Sequence, residues 1–131
     1  VGVETHMPEF DIAFLGHYTK DIIVLPHETM AVHGGAFNYG ARVAVTMGLR
    51  AAVITRLARE DFEVVDDLAW MGVEVFATPT PQSTSLKLVY PTSDLDQRTV
   101  YNVGFAGSFT PAEVAPIQAR VFHVGASIRG E

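Results

Sequence analysis

The feature that most constrains this chain is a series of short apolar runs, each closed by glycine or a turn. Asp11-Ile-Ala-Phe-Leu-Gly16 is the first, and Ala51 to Thr55, Val73 to Ala77 and Arg120 to Val124 follow. Runs of this length match parallel strands buried on both faces. Between them lie segments of helical period. After Gly34-Gly35, the residues Phe37, Ala41, Ala44 and Val45 recur three and four apart, which predicts a helix reaching Met47 and stopped by Gly48. Asp61 is placed to cap a second helix with an apolar stripe of Phe62, Val65, Leu68 and Ala69, ended by Gly72. Thr110-Pro-Ala-Glu113 has the spacing of a capping box before a short third helix that Pro116 ends early.

Two stretches break this alternation. Ile22 to Leu25 and Thr29 to Val32 flank a turn at Pro26, and Ser85 to Tyr90 alternates, with Leu86, Leu88 and Tyr90 on one face. Arg98 to Val103 reads as the antiparallel partner of the latter. The expectation is an α/β chain: a parallel core sheet flanked by helices, carrying antiparallel hairpins at about 19–33 and 84–103. The last core strand has no helix after it within the chain and asks for further chain, or a partner, to cover it. Residues 1–10 read as a tail, the part before Met7 as a cloning remnant, and residues 11–131 as the body.

Composition narrows the function classes. Nine Lys and Arg against 15 Asp and Glu in 131 residues give a net charge of −6, so nucleic acid is not an expected partner. The chain is 48% apolar and has no cysteine, which removes disulfides and thiolate chemistry. Apolar runs interrupted by Lys20, His27, Arg42, Arg50 and Arg56 predict no membrane span, and the start has no secretory pattern, so a cytoplasmic location is expected. The histidines at 6, 17, 27, 33 and 123 have no metal-ligand spacing, and no metal site is expected. No serine lies in a nucleophile elbow. Lys87 and Arg98 read as solvent-facing charges, and Glu131 as a candidate ligand beyond the last strand.

Ligands of open parallel sheets sit beyond the carboxyl ends of the strands. Asp21, the Gly34-Gly35 pair, and Asn38 and Tyr39 in the first helical turn fall there. A carboxylate accepts two coplanar hydrogen bonds, which suits a vicinal diol. Glycines at a helix start allow close backbone approach to a hydroxyl or an anion. A plainer assignment fits the residues equally: Asp21 as an exposed turn residue and the glycine pair as packing.

The run Gly34-Gly-Ala-Phe-Asn-Tyr-Gly-Ala-Arg-Val-Ala-Val-Thr-Met-Gly48, with Ala52-Val-Ile-Thr-Arg56 and Glu60-Asp61, resembles the first signature of the ribokinase-like (PfkB) carbohydrate kinase family. Gly16-His-Tyr-Thr-Lys-Asp21 is similar to that family's sugar-binding start. The resemblance runs from about Asp11 to Glu131 and implies a ribokinase-like fold in which the hairpins form a small β lid. It implies an amino-terminal, substrate-binding portion of an ATP-dependent sugar, polyol or nucleoside kinase. In that portion Asp21 and Thr19 hold the acceptor's hydroxyls, Gly34 and Gly35 close on it, and Asn38 or Tyr39 tunes which acceptor fits. ATP and Mg2+ are implied as donor and metal, with their site and the catalytic base outside residues 1–131. The family's Gly-Ala-Gly-Asp run, which carries that base and an anion hole, does not occur in this sequence, so the chain alone is expected not to turn over. A second reading stands beside it: a non-catalytic polyol-binding module that pairs with another copy through exposed lid strands.

Overall fold

A strand with apolar side chains on both faces needs cover on both. In the computed structural model, which describes residues 8–131, β4 (Ala51–Ala58) is that strand. Val53 and Leu57 are buried on one face, Ala52 and Ile54 on the other. It lies between β5 (Glu74–Thr80) and β1 (Phe10–Leu15), with β8 (Ala119–Val124) outside β1, and every pairing is parallel. Helices α1 (Ala36–Thr46) and α2 (Glu63–Trp70) cover the Val53 face, where Phe14, Phe37, Ala41, Leu57, Val64 and Leu68 form the larger core. The opposite face packs Phe10, Ala13, Ala52 and Ile54 against Ile117 and the four-residue α3 (Pro111–Val114). At the sheet edge Val121, Phe122 and Val124 of β8 are exposed.

The two expected hairpins are present. β2 (Thr19–Val24) pairs antiparallel with β3 (Thr29–Gly34), and β6 (Thr84–Val89) pairs antiparallel with β7 (Thr99–Gly104). They join into one sheet of order β3-β2-β6-β7 because β2 and β6 run parallel, with Thr19 opposite Thr84 and Asp21 opposite Leu86. The first seven residues, where the cloning remnant was expected, lie outside the described residues.

Three local expectations are corrected. Asp61 does not cap α2, whose side-chain cap is absent. Its buried carboxylate instead accepts from Ser83 Oγ at 2.6 Å and sits 3.1 Å from Lys20 Nζ. A hydroxyl and an ammonium supplied by the lid strands outcompete a backbone N–H, and the chain enters α2 through a single 3-10 turn, Arg59–Asp61. Thr110 likewise makes no side-chain cap: its hydroxyl donates to the Glu113 carboxylate at 3.2 Å, and that carboxylate also pairs with the guanidinium of Arg56. Finally, β5 continues past Ala77, where the apolar run was expected to close in a turn, through Pro79 to Thr80. Proline lacks a ladder donor but is tolerated here, because β5 is an edge strand.

Candidate functional site

The site forms where the core sheet hands the chain to the lid. β1 ends at Leu15, and after Gly16, His17 and Tyr18 the chain enters β2 at Thr19. The antiparallel register sets Thr19 opposite Gly34, the last residue of β3. Asp21 reaches back along β2 to the same spot. A Cβ built on Gly34 would stand 2.5 Å from Thr19 Oγ1 and 2.9 Å from Asp21 Cγ, and closer still to Asp21 Oδ2. The carboxylate therefore lies against the bare Cα of Gly34, and any side chain there would displace it. Gly35 follows at φ +103°, with a Cβ position 2.8 Å from the carbonyl oxygen of His17. Only glycine meets both demands, and it starts α1 directly over the site. The first turn of α1 has neither an acidic residue nor a side-chain cap, so its leading N–H groups are unclaimed by side chains.

Asp21 is half-buried, and its Oδ1 is shielded from solvent with no hydrogen-bond partner among the described residues. Burial raises its carboxyl above the usual carboxylate range, and the Thr19 hydroxyl bond offsets part of the rise. An acceptor oxygen left buried and unbonded costs about 1–3 kcal/mol. A hydroxyl donor delivered to it recovers that penalty. The arrangement suits a polyol better than an exposed turn residue, whose oxygens water would satisfy.

The other expected residues are placed differently. Asn38 is buried, and its carboxamide is engaged: Nδ2 donates to the His33 carbonyl at 3.3 Å and Oδ1 accepts from Arg42 Nε at 3.1 Å. It fixes the end of β3 to α1, behind the glycine pair. Tyr39 is 65% exposed and shares the outer stripe of α1 with Val43 and Met47. The structure thus gathers Asp21, Thr19, Gly34 and Gly35, supports them with Asn38, and leaves Tyr39 outside the cluster. Glu131 is a brace: its carboxylate accepts the backbone N–H groups of His17 at 3.0 Å, Ser127 at 2.7 Å and Ile128 at 2.8 Å. Among the described residues Arg98 bonds the Tyr90 hydroxyl, at 3.3 Å.

Sequence reasoning missed the polar joint beneath the site. His17 is fully buried, with Nδ1 2.7 Å from Thr84 Oγ1, and the same hydroxyl accepts the Ala106 N–H at 3.0 Å. Burial lowers the His17 pKa, against the pull of the nearby Glu131 carboxylate. The Tyr18 N–H donates to Thr55 Oγ1 at 2.7 Å, and its phenol lies 2.8 Å from His33 Nδ1. Burial, with the carboxylates of Asp61, Asp21 and Glu63, pushes that phenol well up. Ser83 Oγ accepts the Ala58 N–H at 2.9 Å. These residues come from four separate core–lid crossings and from β4, so no local spacing marks them. Only the parallel register of β2 and β6 brings them together.

No three His, Asp or Glu side chains converge as metal ligands among the described residues, and no Walker-type loop occurs in the sequence. Among the described residues the ATP and Mg2+ implied by the family resemblance therefore find no fitting donor set. No helix among the described residues is long and apolar enough to cross a membrane.

A parallel sheet covered by two helices and continued into a small second sheet, with an aspartate set against a glycine pair where the two meet, gives the chain a ribokinase-like fold, that of the amino-terminal part of ribokinase-family kinases. More particularly, it is similar to a pyrophosphate-dependent kinase in the ribokinase family solved as a sulfate complex. The match has a TM-score of 0.81 at 32% identity and covers 92% of this chain and 42% of that one. A pyrophosphate-dependent kinase of the same family, complexed with a pyrophosphate analog and myo-inositol, matches with a TM-score of 0.76 at 29% identity, over 88% and 39% of the two chains. The PfkB protein from Polaromonas sp. JS666 shares the fold, with a TM-score of 0.62 at 16% identity over 80% and 40%. The chain thus spans about two-fifths of the length of these proteins. No protein-family model and no curated protein matches the sequence.

Proposed function

We propose that this chain is the acceptor-binding portion of a kinase that transfers phosphate to a hydroxyl of a small polyol, with a cyclitol or sugar as the acceptor class. The observation that carries this reading is the Asp21 carboxylate, held against Gly34 where the lid meets the core, with Oδ1 buried and unbonded among the described residues. Its oxygens accept hydroxyl donors, Thr19 orients it, and the backbone N–H groups at the start of α1 donate to the acceptor's hydroxyl oxygens. The lid sheet covers this mouth and limits water there. The myo-inositol complex of the similar kinase supports a cyclitol over a nucleoside.

The phosphoryl donor binds outside the residues in hand. ATP with Mg2+ follows from the resemblance, whereas pyrophosphate is the donor named for the similar kinases. Both belong in the assay. We further propose that the free edges of the lid, β3 and β7, can pair two copies. Asp21→Asn in the full-length protein tests the central reading. The acceptor KM should rise by about 10–100-fold, the loss of a charge-assisted hydrogen bond, while the donor KM changes little. Equal loss for both substrates, or no loss, contradicts it.

A further inference from the structure

The lid also meets the body on the face away from Asp21. Lys20 and His33 are paired across β2 and β3, so they share a face, and strand alternation sets it opposite the face of Asp21. Both side chains reach the segment that opens α2. Lys20 Nζ lies 3.1 Å from Asp61 Oδ1 and 3.8 Å from Glu60 Oε1, and His33 Nε2 lies 3.7 Å from Glu63 Oε2. One ammonium and one imidazole of the lid thus face three carboxylates of the body.

His33 is joined to the site as well. Its Nδ1 lies 2.8 Å from the Tyr18 phenol oxygen, its carbonyl accepts from Asn38 Nδ2 at 3.3 Å, and the next residue is Gly34, against which Asp21 is held. A pull on His33 is therefore a pull on the glycine pair and on the start of α1. The other groups around the imidazole are committed. Asp61 holds the Lys20 ammonium charged, burial with nearby carboxylates keeps the Tyr18 phenol protonated, and Arg42 on α1 is turned to Asn38 and Met71. Glu63 pairs with no cation other than His33 among the described residues.

A gap of 3.7 Å is too long for a hydrogen bond from the neutral ring. An imidazole takes up its second proton between about pH 5 and pH 8, and the cation then carries an N–H on both nitrogens. The His33 side chain is 35% exposed and can take that proton from water, while the Glu63 side chain, 78% exposed, is free to close the gap. We infer that His33 is a proton-gated latch: once protonated it draws Glu63 into an ion pair that ties β3 to α2 and holds Gly34 and Gly35 in place. The Lys20–Asp61 contact is the permanent link beside it. The latch belongs to the joint between lid and body and stands whatever the site binds.

Amide hydrogen exchange of the full-length protein at about pH 5.5 and about pH 7.5, read as protection factors, tests this. Asp21 adds a pH dependence of its own to parent and variant alike, so the comparison is between the two proteins. The gain in protection of residues 29–35 on acidification should be about two- to fivefold larger in the parent than in Glu63→Gln, the range of a partly exposed ion pair. Glu63→Gln changes an exposed side chain, so its melting temperature at the higher pH should stay within about 2 °C of the parent's. His33→Gln should show the same reduced gain as Glu63→Gln. An equal gain in parent and Glu63→Gln, or a gain in His33→Gln equal to the parent's, overturns the inference.

Discussion

The core sheet and the lid sheet each have four strands, but different forces hold them. β4 has almost every residue buried, and its stability comes from apolar contacts on two faces. β7 is exposed nearly throughout, and the lid is tied to the body by buried hydrogen bonds at its base: His17 with Thr84, Ser83 with Asp61, and Tyr18 with Thr55. One sheet is a packed solid, and the other is a plate on a polar hinge. The difference explains where the site lies. At this joint polar side chains are buried among the described residues, and the Asp21 Oδ1 there has no hydrogen-bond partner, which is what the proposed acceptor site requires.

The comparison breaks most visibly in the core. Leu57→Ala, at a side chain with no exposure, should cost about 3 kcal/mol in urea unfolding of the full-length protein, whereas Val100→Thr on the lid should cost under about 0.5 kcal/mol. Next comes the joint. Ser83→Ala strips a donor from buried Asp61 and an acceptor from the Ala58 N–H, which should cost about 2 kcal/mol. Hydrogen exchange should place the added opening in β2 and β6 rather than in β4, and uniform acceleration would show that the two sheets open as one.

Asp21 sharpens the contrast through pH. Its folded carboxyl titrates above the unfolded value because burial penalises the charge. In that window the folded state binds more protons than the unfolded one, so the ligand-free protein loses stability as pH rises through the folded pKa. Asp21→Asn should flatten this slope and leave the melting temperature at pH 7 unchanged or higher, while acceptor binding weakens about 10–100-fold. A lower melting temperature would mark Asp21 as a structural residue. The smallest effect belongs to Tyr39→Asn: on the exposed stripe of α1, it should alter the acceptor KM by less than about twofold.

Most of the core was legible in the sequence, because a buried parallel strand and a one-faced helix each leave a short-range pattern. Asp11 to Gly16 and Phe37 to Gly48 announce their structures within a dozen residues. The caps at Asp61 and Thr110 were misread for a physical reason. Local spacing gives the partners that a side chain can reach, but Ser83, Lys20 and Arg56 are distant partners that outbid the nearby amides. In the site, Asp21 and the glycine pair could be found from motif spacing. The engagement of Asn38 by His33 and Arg42, the exposure of Tyr39, and the register shift between β6 and β7 all depend on register and packing, which leave no pattern in the chain.

The most direct test of the acceptor grip is a crystal structure of the full-length protein with myo-inositol. The account predicts ring hydroxyls within hydrogen-bond distance of both Asp21 carboxylate oxygens, with the ring against the Cα of Gly34 and the start of α1. A ring bound elsewhere, with Asp21 Oδ1 still unbonded, would contradict it.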